Sequence, residues 1–352
     1  MDFEKFVNEI QENIKQYLPE DYQDAEVTFM EHQKLNEQYT GLTVRKDGQI
    51  LTPTINLNRL HDYYQNHSDV PMSTVIEKIA DVITEAPDQI NLVDLKDIMK
   101  YDNVKDKLFI RLSSAERNEE MLQNVPHELK EDLAITYHVV VAKDSEGLSS
   151  MLITNEMMKE YGVTQEQLQE DAMKSAPSVM TPQIYSMGGK LNELMKDLAM
   201  VLTQEEKEMM RQVAADMAQN NSFLIVTNDQ TIDGAGVIFY PEVMENLGYM
   251  LDGDFFILPS SVHETLVLMD DGTFDIEALK EMVQEVNETQ VMPQERLTDE
   301  VYHYDAKDHV FEKADRFAER QKEKAMQAVK AEKAGKEQPD QKPKAKKHDM
   351  EL

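Results

Sequence analysis

Hydrophobic and polar residues in the first quarter of the chain follow patterns that predict a helix, a β-hairpin and a second helix. Apolar residues recur at three- and four-residue spacings between Phe3 and Tyr17, which indicates an amphipathic helix, and Pro19 ends it. Residues 25–57 are rich in strand-forming side chains, and Asp47-Gly48 predicts a tight turn between two strands. Helical spacing returns between Thr74 and Glu85.

Between residues 108 and 219 the pattern predicts alternating strands and helices. Thr164 and Gln167 fit a capping box, and Gly162 is placed to end the preceding helix. The segment 175–188, rich in Ser, Pro and Thr, indicates a loop. Strands are predicted at 108–112, 133–142 and 150–154, and helices at 155–161, 164–174, 189–202 and 204–219, the last two as an αα-hairpin.

The last third of the chain mixes strands with helices and ends in a charged segment. A weak similarity between residues 151–158 and 237–244 suggests repeated β-β-α units. Residues 311–334 predict a charged helix, and the Lys- and Pro-rich residues after Gly335 predict a disordered tail. Strands are predicted at 222–227, 236–240, 254–258, 265–269 and 301–305, and helices at 241–247 and 274–286.

These elements predict an α+β protein in three segments. Residues 1–125 are predicted to form an N-terminal domain with a helix and a β-hairpin. Residues 126–310 are predicted to form a C-terminal domain of β-β-α units, with an inserted αα-hairpin near 189–219. Residues 311–352 carry the charged helix and the disordered tail. Pro126 marks the predicted boundary between the two folded parts.

Composition changes this picture mainly by exclusion. The 352 residues include no Cys and no Trp. Disulfides, thiolate metal sites and a cysteine nucleophile are therefore excluded. The N-terminus lacks the basic and apolar regions of a signal peptide, and no apolar run reaches the ~18 residues of a membrane span. The sequence accordingly predicts a cytoplasmic protein.

The formal net charge of −32 is the most unusual global property. Such a charge repels phosphate backbones and anionic membranes. We therefore predict no direct binding of nucleic acid by the body of the protein, and no membrane binding. The charge either maintains solubility or attracts a basic protein partner. Methionines of the predicted 189–219 hairpin either fill a core or offer an apolar surface to a partner.

Four polar residues after Pro259 are the candidate ligand-binding residues: Ser260, Ser261, His263 and Glu264. Short polar loops at strand ends often bind ligands. The plainer alternative is a turn in which a serine hydroxyl caps main-chain amides. A hydrolase triad is assembled from distant parts of a chain, so adjacency of Ser and His predicts no catalytic residue.

Two further patterns do not reach the level of a predicted site. His303, Asp305, Asp308 and His309 could supply nitrogen and oxygen ligands to a metal, but their spacing matches no specific site. Gly189-Lys190 lacks the glycine that a phosphate-binding loop needs five residues earlier, where Ile184 stands. The sequence therefore predicts no metal and no cofactor.

Four segments together resemble a known family: Pro53–Leu57, Leu258–Glu264, Glu285–Val291 and Pro293–Asp305. They are similar to the bacterial domain of unknown function fifty-six eighty-eight, found mainly in Gram-positive gut bacteria. The resemblance covers roughly residues 1–310. It implies no activity and no site residues, because the family has no established function.

Three functions are compatible with these observations. The first is a non-enzymatic protein that binds a basic or apolar protein partner through its acidic surface or its Met-rich hairpin. The second is a small-ligand-binding protein or an enzyme, with its site between the domains near the 259–264 loop. The third is a DNA mimic, which would require carboxylates spaced like phosphates along one face.

Overall fold

A computed structural model gives the fold of most of the chain. The structure describes residues 1–34, 36–47, 52–67, 69–85, 95–144, 147–186, 203–205, 207–209 and 223–336. The fold is α+β, as predicted, with three antiparallel sheets in this part of the chain. Most of the predicted αα-hairpin at 189–219 and the predicted tail after Gly335 lie outside the described residues.

The N-terminal part packs three helices against a small sheet. Asp2 accepts a hydrogen bond from the Lys5 amide and so caps the first helix, whose buried residues Phe6, Ile10 and Ile14 lie four apart on one face. This core is closed by the face of α3 that carries Val75 and Ile79. The elements are α1 (Phe3–Tyr17), β1 (Glu26–Lys34), β2 (Glu37–Arg45), β3 (Ile55–Asn56), α2 (Leu57–Asn66) and α3 (Met72–Glu85).

Two antiparallel pairs build this sheet. Strands β1 and β2 pair from Glu26–Arg45 to Lys34–Glu37, so the chain reverses direction between Lys34 and Glu37. The predicted hairpin around Asp47-Gly48 corresponds to the antiparallel pair β2–β3, and its turn at Gly48 lies outside the described residues. Asn36 has φ 61°, a left-handed conformation that Asn tolerates better than most residues. Beyond Asp47, the returning strand β3 is only two residues long and pairs Leu42 with Ile55.

A second sheet forms around the long strand β6. One edge of β6 pairs with β4, and the other edge pairs with β5 and then with β7, always antiparallel. Apolar side chains of one face pack against α8, whose residues Leu168, Ala172 and Ala176 are buried. The elements are α4 (Leu95–Ile98), α5 (Tyr101–Val104), β4 (Leu108–Ser114), α6 (Glu119–Leu122), β5 (His127–Lys130), β6 (Leu133–Asp144), β7 (Gly147–Leu152), α7 (Asn155–Tyr161) and α8 (Gln165–Val179).

The capping signals in this part are confirmed, but the loop predicted at 175–188 is wrong. Thr164 caps α8, and Gly162 ends α7 with φ 69°. Helix α8 continues through Pro177 to Val179, because Ser175 is buried and donates to the Leu108 carbonyl, which fixes this turn on β4. Pro182–Ser186 then forms β8.

The third sheet has six antiparallel strands in the order β13-β12-β10-β11-β9-β8. Alternate residues of β10 enter different cores: Phe255 and Ile257 face the second sheet, while Phe256 and Leu258 face α10. The remaining elements are β9 (Phe223–Asn228), α9 (Val243–Leu251), β10 (Phe255–Leu258), β11 (Thr265–Met269), α10 (Ile276–Thr289), β12 (Tyr302–Asp305), β13 (Val310–Lys313) and α11 (Ala314–Lys336).

The strand predicted at 236–240 is instead part of a 3₁₀ helix, Gly234–Phe239. Gly234 lies close to strand β9 and to the β10–β11 connection. A Cβ at this position would be 2.3 Å from Thr227 Oγ1 and 2.6 Å from the His263 carbonyl oxygen. Its amide donates to that same carbonyl oxygen. This close approach directs the chain away from the sheet, so the second of the suggested β-β-α units lacks its strand.

The hydrophobic cores divide the described chain earlier than the predicted boundary. One core uses residues from Phe6 to Ile83, and the largest core runs from Ile98 to Tyr304. Pro126 lies between β4 and β6, which are paired neighbours in one sheet. The two parts meet at the β1–β2 turn, where the Asn36 amide donates to Asn118 Oδ1 at 2.6 Å.

The charged C-terminal helix is present, but it begins at Ala314 because Val310–Lys313 pairs as strand β13. Phe317 stacks on the buried His303 ring with centroids 3.6 Å apart. Arg320 joins the buried Asp305 to the helix, with Nη2 and Oδ2 2.9 Å apart. None of the helices in the described part of the chain has the length and apolarity that a membrane span requires.

Candidate functional site

The predicted residues Ser260 and Ser261 lie in the β10–β11 connection, which pairs with residues 295–297. The Leu297 amide donates to the Ser260 carbonyl at 3.1 Å, and Ser261 forms an antiparallel bridge with Arg296. Ser261 Oγ accepts a hydrogen bond from the His263 amide at 3.1 Å. These bonds match the turn alternative, in which serine oxygens hold main-chain groups.

The His263 ring contacts two neighbouring segments. Its Nδ1 accepts from the Asp233 amide at 3.2 Å, and its Nε2 lies 3.4 Å from Glu295 Oε1. Glu264 is exposed and makes no ion pair in the described part of the chain. The four predicted residues thus share a loop, but none of them lines either of the two clefts described below. Ligand binding by these residues stays a prediction.

Residues 296 and 297, which pair with Ser260 and Ser261, border a cleft of about 490 Å³. We call it the polar cleft. Its volume is within the range usual for small-molecule sites. The lining side chains are Ser114, Glu116, Arg117, Asp132, Asn287, Glu288, residues 296–300 and Lys313.

Arg117 and Arg296 form a cationic end of the polar cleft. Arg117 Nη1 donates to the Arg296 carbonyl at 3.1 Å, so the Arg117 guanidinium lies against the main chain of Arg296. Burial and the charge of Arg296 lower the pKa of Arg117. Within the described ranges neither guanidinium lies within 4.0 Å of a carboxylate, although acids outnumber bases 68 to 36 in the chain. Guanidinium groups that lack ion pairs are well suited to binding a carboxylate or phosphate.

Asn287 supplies an unused acceptor to the same cleft. It is 1% exposed, and its Nδ2 donates to the Thr298 carbonyl at 2.9 Å and to Asp299 Oδ1 at 2.6 Å. Its Oδ1 has no hydrogen-bond partner among the described residues. A buried acceptor without a partner costs about 1–3 kcal/mol, so a ligand that donates to it gains binding energy. Asp299 and the neighbouring Glu288 add negative charge beside it.

A network of hydrogen bonds fixes the floor of the polar cleft. Asp132 accepts from the Tyr302 hydroxyl at 2.6 Å and from Thr298 Oγ1 at 2.9 Å, and lies 3.2 Å from Lys313 Nζ. Lys313 also pairs with Glu300 at 3.2 Å. Burial alone would raise the pKa of Asp132, but the hydrogen bonds from Tyr302, Thr298 and Lys313 together lower it. This end of the cleft is therefore preorganised.

The arrangement can bind charges of both signs, whereas the described part of the chain shows no group of three His, Cys, Asp or Glu residues suited to a metal ion. Two members of the weak metal pattern have other contacts: His303 Nε2 lies 3.0 Å from Asp270, and Asp305 pairs with Arg320. The polar cleft brings together cationic donors, from Arg117, Arg296 and Lys313, and oxygen acceptors near Asn287 and Asp299.

Sequence reasoning did not find Arg117, Asn287 or Asp132. They come from three separate segments, and no spacing relates them. Arg296 and Asn287 both lie inside segments used for the family resemblance, which is the signal that could have pointed to them.

The chain belongs to the family of unknown function DUF5688, whose match covers residues 3–306. Every lining residue of the polar cleft except Lys313 falls within this span. No curated protein and no solved structure matches the chain.

Proposed function

We propose that the protein binds a small zwitterion, such as a free amino acid or a short peptide, in the polar cleft. The observation that carries this proposal is the pairing of two arginines that lack ion pairs with a buried, unpartnered acceptor, Asn287 Oδ1, in one cleft. The carboxylate of the ligand pairs with Arg117 and Arg296. Its ammonium group donates to Asn287 Oδ1 beside Asp299.

A simple anion fits less well than a zwitterion. The lining has five carboxylates, from Asp and Glu, against three cations, from Arg and Lys. Asp132 and Glu300 are already paired with Lys313, whereas Asp299 and Glu288 make no direct ion pair with a lysine or arginine in the described part of the chain. An added ammonium group would offset these two charges, and it supplies the donor that Asn287 requires.

The test is a thermal-shift screen of the twenty amino acids and of dialanine, followed by calorimetry on any compound that stabilises the protein. A ligand at one hundred times its Kd stabilises the folded state by about 2.7 kcal/mol. The N-acetyl and the carboxamide derivatives of the same compound should each bind at least about tenfold more weakly, since each lacks one charge. The proposal fails if either derivative binds equally well or if no zwitterion stabilises the protein.

Arg296→Gln is the first variant for this test, and Arg45→Gln is the matched control. Arg45 is exposed and pairs only with Glu26, in the N-terminal sheet. We expect binding to be lost in the first variant and retained in the second.

A second candidate function is the binding of a protein partner, and one observation favours it. In α9, Tyr249 is 85% exposed and Met250 is 59% exposed, next to each other on the surface. Tyr and Met are enriched at protein interfaces. The test is capture of a single stoichiometric partner from the host lysate. The double variant Tyr249→Ser with Met250→Ser should abolish this capture. A complex that persists at high salt is held by apolar contacts, because salt screens exposed charges. DNA mimicry and a cytoplasmic location stay predictions.

A further inference from the structure

A second cleft, of about 450 Å³, lies where α8, β5, α9 and the β12–β13 hairpin meet. We call it the aromatic cleft. Its walls differ in chemistry from those of the polar cleft, because rings and thioethers make up much of its surface. The lining residues that matter here are Glu128, Phe239, Glu245, Tyr304, His309 and Phe311.

Contacts among aromatic side chains preorganise one wall of this cleft. Phe239 meets Phe311 edge to face with centroids 5.0 Å apart, and Tyr302 stacks on Phe311 at the same separation. Rings held by one another lose little freedom on binding, and their faces attract cations as well as apolar groups. This wall therefore suits a ligand with an apolar body.

Carboxylates surround the wall in excess of cations. The lining includes Glu128, Glu242 and Glu245 but only one lysine, Lys130. Lys130 is already paired with Glu128 at 2.6 Å. Glu242 and Glu245 make no ion pair with a lysine or arginine in the described ranges, and Glu245 has only His309 nearby, at 3.9 Å.

Glu245 lies close to Tyr304 and His309 at the margin of the aromatic cleft. Burial, followed by the charge of Glu245 and a hydrogen bond to it, raises the pKa of Tyr304 to about 12. The Tyr304 hydroxyl also lies 3.0 Å from His309 Nδ1. The carboxylate of Glu245 thus lies at the edge of the aromatic wall, where the positive end of a bound ligand would be placed.

Tyr137 is a buried neighbour of Glu128, one of the carboxylates that line the aromatic cleft. In the β5–β6 pair, Glu128 lies opposite Ile135, so Glu128, Ile135 and Tyr137 share the face that α8 covers. Gln169 of α8 confirms this direction by donating to Glu128. Tyr137 is 0% exposed, and its hydroxyl has no hydrogen-bond partner among the described residues. Burial and the nearby charge of Glu128 raise its pKa, so the hydroxyl stays protonated beside the cleft.

We propose that the aromatic cleft binds a small amphipathic cation, an arylalkyl ammonium, with its ring against Phe311 and its ammonium group near Glu245. This site is independent of the proposed zwitterion site. The excess of carboxylates selects a cation, and the aromatic wall selects an apolar body. The ligand is less polar than the one that the polar cleft favours, because it has no carboxylate.

The experiment is calorimetry of the full chain with phenethylammonium and with its neutral counterpart 2-phenylethanol. We expect phenethylammonium to bind at least about tenfold more tightly, and Glu245→Gln to remove this preference. Glu281→Gln, on the exposed face of α10, is the matched control and should leave the affinity unchanged.

Three results would overturn the proposal: equal affinity for the alcohol, an unchanged preference in Glu245→Gln, or no binding at millimolar concentration. Asp299→Asn separates this site from the polar cleft. If that variant weakens phenethylammonium binding and Glu245→Gln does not, the cation occupies the polar cleft and the present assignment is wrong.

Discussion

The polar cleft and the aromatic cleft have lining residues of different chemistry, and we propose a different ligand for each. In the polar cleft, Arg117 and Arg296 lie beside an unpaired acceptor. In the aromatic cleft, stacked rings are bordered by Glu245 and Glu128. The two clefts differ because different elements contribute their lining residues. The net charge of −32 is a property of the whole chain and does not predict the balance of charges within either cleft.

Truncation after residue 306 should have the largest effect, because it removes walls from both clefts. The polar cleft would lose Lys313, and the aromatic cleft would lose Phe311 and His309. Strand β12 would become an open edge, and the buried Asp305 would lose Arg320. We expect a loss of more than about 4 kcal/mol of stability, measured by urea unfolding. A chain ending at residue 336 is the control. Equal stability of the two would show that the family span folds without β13.

Asp132→Ala should act strongly on the polar cleft. The change leaves the Tyr302 hydroxyl and Lys313 without their shared acceptor, at a cost of about 3 kcal/mol. Zwitterion binding should disappear because the floor is lost. Asp132→Asn keeps the shape and isolates the charge, and an unchanged unfolding midpoint in both variants would contradict this account.

Asp132 also predicts a pH dependence. Its folded-state pKa lies below the unfolded value of about 3.9, so its stabilisation is present above that pH. The contribution is lost as the pH falls through the folded-state pKa. The stability of the wild type should therefore decrease more steeply below about pH 4 than that of Asp132→Asn. If the stability of the two proteins decreases equally steeply at acid pH, this prediction is wrong.

Arg117→Gln combined with Arg296→Gln should sharpen the difference between the clefts. We expect zwitterion affinity to fall by roughly 10- to 100-fold, because about 1.5–3 kcal/mol of charge-assisted hydrogen bonding is lost. Phenethylammonium affinity should stay the same or rise slightly, since two positive charges are removed nearby. Calorimetry with both compounds provides the comparison. A parallel loss of both affinities would show a folding defect instead.

Tyr304→Phe should have the smallest effect. It keeps the ring of the aromatic wall and removes the hydroxyl that contacts His309 and Glu245. We expect a loss of about 0.5–1.5 kcal/mol of stability and a modest reduction in cation affinity. Zwitterion affinity should not change. A loss as large as that of Asp132→Ala would mean that this hydroxyl supports the whole hairpin.

The fold class could be predicted from local patterns, because helix caps and strand periodicity depend on neighbouring residues. Thr164 and Gly162 are examples in which the signal and the structure agree. The errors come from long-range contacts. The segment 236–240 was predicted as a strand because the close approach of Gly234 is a tertiary contact. The segment 175–188 was predicted as a loop because the hydrogen bond from buried Ser175 to the Leu108 carbonyl links residues far apart in the chain.

The candidate site could not be predicted in the same way. Ser260, Ser261 and His263 have the side chains of a site, yet their described bonds go largely to main-chain groups. Asn287 looks like an ordinary polar residue of α10 in the sequence, and it becomes informative only when its two donors are satisfied and its acceptor is not. Such information exists only in three dimensions.

Tyr302 is buried between the two clefts and contacts one lining residue of each, since its hydroxyl donates to Asp132 and its ring stacks on Phe311. A ligand that displaces this side chain from one side changes the wall on the other. By thermodynamic reciprocity, the factor by which a zwitterion alters cation affinity must equal the factor by which the cation alters zwitterion affinity. If both proposed ligands bind, Tyr302 is the side chain through which either one would alter the affinity of the other.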